Sequence, residues 1–76
     1  MILRVKSING RILEIECEYN SSIKDIKQYI ADKEGIPAGL FFLIYGGIIL
    51  KDDGLLSDYQ NITKDSLLHC VVHTIG

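Results

Sequence analysis

Two cysteines, two histidines and a run of alternating glutamates are the side chains of this sequence best suited to chemistry. A thiol becomes a nucleophile when a base stands beside it. Cys17 and Cys70 both fall on inward-facing positions, and neither has a histidine on the same face. His69 and His73 share strand parity and could offer two metal ligands, but zinc sites use three or four and no third is in view. Glu14, Glu16 and Glu18 follow one face of a single strand, the pattern of a solvated edge. Gly46-Gly47 lacks the spacing of a phosphate-cradling loop. The expectation is a protein with no metal, no cofactor and no catalytic centre.

The elements that position these residues are legible from periodicity. Ile2 to Ser7 and Arg11 to Glu18 alternate strictly, with Leu3, Val5, Leu13, Ile15 and Cys17 turned one way and Arg4, Lys6 and the glutamates the other. Period two of this kind predicts two half-buried strands. Asn9-Gly10 between them tolerates positive φ and predicts a hairpin. The period then changes. Ser22 with Asp25 resembles a capping box, Ile23, Ile26 and Ile30 share one helical face, and Lys24, Lys27, Gln28 and Asp32 read as the polar side. Gly35 and Pro37 end the pattern, so the helix is predicted from Ile23 to Glu34.

Leu40 to Tyr45 reads as a strand apolar on both faces, and Ile48 to Leu50 as a short strand after the Gly46-Gly47 turn. Leu55 to Tyr59 reads as a turn or short 3₁₀ segment. Leu67 to Val72 is the last strand, with Leu68 and Cys70 opposed to His69 and Val71. The order β-β-α-β-β-β predicts a mixed sheet with one amphipathic helix across one face, an α+β fold.

Bulk properties narrow the function. At 76 residues the chain is read as one domain, and 47% hydrophobic residues can fill a core with some left outside. A net charge of −2 with cations scattered singly argues against nucleic acid as a partner. The apolar run Leu40 to Tyr45 is far short of the roughly 20 residues a membrane span needs. No signal-peptide pattern opens the chain, so the expected location is cytosolic or nuclear, and the sequons at Asn20 and Asn61 read as chance matches.

The run Asp32-Lys33-Glu34-Gly35-Ile36-Pro37, the pair Leu43-Ile44, the segment Leu56-Ser57-Asp58-Tyr59 and the opening Met1, Val5-Lys6 and Gly10 resemble ubiquitin. The resemblance spans essentially the whole chain and needs one extra residue near Gln60. It implies a ubiquitin-like β-grasp fold with a five-stranded sheet. Its implied core is Leu3, Val5, Leu13, Ile15, Cys17, Ile23, Ile26, Ile30, Leu43, Leu50, Leu56, Ile62, Leu68 and Cys70. The β-grasp order also puts one strand between the two cysteines. Two strand spacings of about 4.8 Å exceed the roughly 7 Å between Cα atoms that a disulfide can bridge.

Strand parity turns Lys6, Phe42, Ile44, His69 and Val71 away from the helix, and Ile8, Gly47, Ile48 and Ile49 are expected to join them at the edges. Ubiquitin-like proteins are recognised mainly through such a patch, and Ile8, Ile44, His69 and Val71 match it residue by residue. Phe42 stands where the family commonly has a cation, Ile48 where it has a conjugation lysine, and Ile49 where a polar residue is usual. Scattered exposed apolar side chains need no explanation, but a contiguous cluster marks a contact site. Burying ~400 Å² of it yields on the order of 10 kcal/mol gross. Association costs leave weak to moderate affinity.

The resemblance implies ubiquitin-binding domains, the proteasome or conjugation-pathway proteins as partners, with the chain a monomer or a weak homodimer through the patch. Modifiers of the family are conjugated through a Gly-Gly carboxylate, whereas here Ile75 precedes Gly76 and His73 and Ile75 replace the tail cations. A domain that is bound but not conjugated is the first reading. The second is a divergent modifier with a longer Gly-Gly tail, for which Gly76 and the acceptor positions Lys6, Lys27, Lys33 and Lys64 are candidates. A third is a ubiquitin redesigned for altered binding, against which the extra residue argues and for which the apolar Phe42, Ile48 and Ile49 argue. Two free, buried thiols are expected. Alkylation of the unreduced, unfolded chain should add two adducts by intact mass, and none would refute the assignment.

Overall fold

The computed structural model describes residues 1–73. Alternation builds the first hairpin: β1 (Ile2–Lys6) pairs antiparallel with β2 (Ile12–Glu16), Leu3 opposite Ile15 and Val5 opposite Leu13. α1 (Ile23–Glu34) starts where Ser22 Oγ accepts the Asp25 N–H at 3.0 Å. That bond satisfies one of the four amides a helix leaves unpaired at its start. It stops at Gly35, whose φ of 70° is left-handed and whose N–H donates to Ala31 O at 2.8 Å.

A 3₁₀ turn (Ala38–Leu40) leads into β3 (Phe41–Tyr45). Gly46 and Gly47, with φ of 60° and 80°, then reverse the chain into β4 (Ile48–Ile49). A second 3₁₀ turn (Leu56–Asp58) is tied to the start of α1: Leu56 N–H donates to Ser21 O at 2.9 Å and Ile23 N–H to Gly54 O at 3.0 Å. β5 (Leu67–Val72) closes the sheet in the order β2-β1-β5-β3-β4, parallel to β1 and antiparallel to β3. This mixed five-stranded sheet crossed by a single helix is the ubiquitin-like β-grasp fold, as expected.

The core gathers the inward parity of the strands against Ile23, Ile26 and Ile30 of the helix. Four residues depart from the expected core. Phe41, in the parity of Leu43, is fully buried, and Ala31 joins it. Leu13 and Cys70 are only half-buried and pack against the core from its margin. Cys70 lies toward the C-terminal end of β5, where Val72, two residues on in the same parity, is 44% exposed. Both thiols are free.

Lys27 is the largest correction. The sequence places it on the polar side, but i+4 from Ile23 it lies on the inward stripe. Its side chain is 7% exposed, with Nζ 2.9 Å from Asp52 Oδ1 and 5.7 Å above the Phe41 ring. The aliphatic stem fills core space while the ammonium keeps a charged partner. Phe41→Ala should remove both the buried ring and the Lys27 contact and cost about 3–5 kcal/mol in urea unfolding. Leu40→Ala, at a site 49% exposed, should stay within roughly 0.5 kcal/mol.

Candidate functional site

With the helix on one side, every strand residue of opposite parity faces outward, and register aligns them. One row crosses all five strands: Ile12 opposite Lys6, Lys6 beside His69, His69 opposite Ile44, and Ile44 opposite Ile49. The neighbouring pair is Phe42 opposite Val71. Ile12 and Ile49 are each 51% exposed and Val71 39%, while Phe42 and Ile44 are half-buried. Charge divides this face. Arg4 and Lys6 of β1 stand opposite Glu14 and Ile12 of β2, whereas β5, β3 and β4 contribute an apolar half with His69 at its border.

The structure therefore brings together Lys6, Phe42, Ile44, Ile49, His69 and Val71 of the expected set. It does not bring in Ile48 or, fully, Ile8. Ile48 pairs with Tyr45, so it points to the helix side while Ile49 points outward. Ile8 is half-buried and packs against the core, drawn in by the hairpin loop. Gly47 lies exposed in the turn beside the row.

Three residues of the face escaped sequence reasoning. Ile12 and Leu67 have outward parity that the period alone could have given. His73 packs its ring 4.8 Å from that of Phe42, and its N–H donates to Leu40 O at 2.8 Å. Of the candidate acceptor lysines, Lys6, Lys33 and Lys64 are exposed, Lys33 lying 5.5 Å over the Tyr29 ring. Lys27 is not available, being buried and paired. Gly76 lies outside the described residues.

The hairpin loop that carries Ile8 is anchored to the end of α1. Glu34 pairs with the Arg11 guanidinium. Within the loop Ser7 N–H donates to Arg11 O at 2.8 Å and Asn9 N–H to Ser7 Oγ at 3.2 Å. Hydrogen bonding from Ser7 and then from Arg11 holds the Glu34 carboxyl below its ordinary range. Burial pushes both thiols the other way: Cys17 is raised, and Cys70 is pushed up to about 11 by desolvation and then by the nearby Glu34 charge. Both are therefore protonated near neutral pH and poor nucleophiles. Among the described residues no three His, Cys, Asp or Glu side chains converge on a metal position, and no helix is long and apolar enough to cross a membrane.

The β-grasp sheet with an apolar outer face defines a protein of the ubiquitin-like class. Comparison with known proteins places it more closely. The ubiquitin family model matches residues 3–75, and the chain belongs to the ubiquitin family. It is 38% identical to the ubiquitin-like protein NEDD8 of Dictyostelium discoideum, covering 100% of this chain and 97% of that protein. It is 36% identical to the NEDD8-like protein RUB3 of Arabidopsis thaliana, covering 100% and 96%. It is also 33% identical to ubiquitin-like protein 4A of Danio rerio, covering 100% of this chain but 48% of that protein.

The loop anchor carries a pH signature. Glu34 titrates lower when folded, so its contribution is present above the ordinary glutamate pKa of about 4.3 and is lost as pH falls through the folded value. Glu34→Gln should lower the urea midpoint at neutral pH and flatten its decline on acidification. An unchanged acid limb would show that the pair does not couple loop to helix.

Proposed function

We propose that this chain is a protein-interaction domain of the ubiquitin family, recognised through its outer sheet face and not itself conjugated. The observation that carries the reading is the register that sets Ile44 between His69 and Ile49 with Phe42 and Val71 alongside. A continuous apolar surface on a domain this small has a use, since monomers seldom expose more than a few hundred Å² in one patch. His69 and Lys6 add a polar margin that fixes orientation. The partners of this reading are ubiquitin-binding domains, the proteasome or conjugation-pathway proteins, acting in the cytosol or nucleus. The protonated thiols support a binding role over a catalytic one.

A conjugated modifier is the second reading, and one observation favours it. The chain covers 96–97% of its NEDD8-named and RUB3-named relatives but only 48% of ubiquitin-like protein 4A. The similarity thus runs through almost the whole of the first two and about half of the third.

Two experiments separate these readings. In an NMR titration with isolated ubiquitin-binding domains, Ile44, Ile49, Val71 and Phe42 signals should shift, and Ile44→Ala should weaken binding about tenfold. Absence of shifts at these residues with every domain tested would end the interaction reading. ATP-dependent thioester charging by a ubiquitin-type activating enzyme should fail with the chain ending Ile75-Gly76 and succeed once the tail ends in Gly-Gly. Charging of the unaltered chain would make it a modifier.

A further inference from the structure

β4 gives its two residues to different surfaces. Ile49 belongs to the outer face, opposite Ile44, whereas Ile48 opposite Tyr45 turns to the helix side. There it remains 54% exposed, because β4 is the edge of the sheet and the helix does not reach it. Ile48 instead walls a groove of about 340 Å³. Buried Leu50 and Ile62 line it together with Tyr45, Tyr59 and Asp58.

The groove is held in shape. Tyr59 Oη accepts the Lys51 N–H at 2.8 Å, and Asp58 Oδ2 accepts the Leu55 N–H at 2.8 Å. Asp58 is also the only lining residue with a formal charge at neutral pH, and that charge is negative. Apolar walls select a large apolar side chain. The single negative charge among the lining residues favours a cation beside it.

We infer that this groove receives a large apolar side chain flanked by lysine or arginine, presented by the polypeptide that also covers the outer face. Continuity supports a single occupant, because Ile48 and Ile49 are adjacent and a segment laid over the β4 edge touches both. The shared partner rests on the outer-face reading, but the chemistry of the groove is tested without it.

The probes are phenylpropylammonium and phenylpropionate, which share an apolar body and differ in charge. Titrated into the full chain, the ammonium should shift Ile48, Tyr59 and Ile62 signals saturably, and phenylpropionate should bind about fivefold more weakly. Asp58→Asn retains the acceptor for the Leu55 amide and should abolish that difference. Ile48→Lys, at an exposed position, should eliminate ammonium binding. Equal affinities, no saturable shift, or shifts confined to Phe42, Ile44 and Val71 would overturn the inference. If the groove binds as expected while ubiquitin-binding domains leave the outer face unmoved, only the outer-face reading falls. The reverse result removes the groove alone.

Discussion

A single helix can cover only one face of a five-stranded sheet, and most of this molecule follows from that. Burying apolar surface is the main favourable term in folding. The helix therefore takes the inward parity of all the longer strands, with Ile23, Ile26 and Ile30 meeting Leu3, Val5, Ile15, Leu43 and Leu68. Residues of the other parity are left outside the core by geometry. The outer row from Ile12 to Ile49 is the necessary complement of the core, and its chemistry is free to serve contact.

That complement is not uniform. Its β1–β2 side carries Arg4, Lys6, Glu14 and Glu16, with Arg4 opposite Glu14. Its β5–β3–β4 side carries Val71, Phe42, Ile44 and Ile49. His69 lies between, next to Lys6 on one strand and opposite Ile44 on another. Such a face gives a partner an apolar area to bury and a charged margin that sets the direction of approach. Exposed ion pairs contribute little affinity, so orientation is their larger role.

Sequence periodicity was a good guide wherever an element was long enough to have a period. The helix boundaries, Ile23 and Glu34, agree with the structure because Ser22 and Gly35 supply chemically distinct caps. β5 agrees from Leu67 to Val72 because six residues display parity. Leu40 to Tyr45, apolar on both faces, hides its parity, which is how fully buried Phe41 escaped the expected core. A two-residue strand has no period at all, so only the Gly46-Gly47 turn and the resulting register decide that Ile49 faces outward and Ile48 does not. Ile8 lies in a loop, where parity has no meaning. Lys27 reads as a surface residue because a lysine counts as polar in any pattern, although its stem is long enough to line a core while its charge meets Asp52.

The same separation explains why fold was more legible than function. Core positions are coupled through close packing, so a change at Leu43 or Leu68 disturbs many neighbours. Phe42 and Ile49 sit one residue from Leu43 and Leu50 in sequence, yet on the opposite side of the sheet or at its edge. An outer residue can be replaced with little effect on the core beneath it. The inward set can therefore stay fixed while the outer face carries Phe42 and Ile49 and the β4 edge carries Ile48. The inward parity holds the fold, and the outward parity is the surface left for contact.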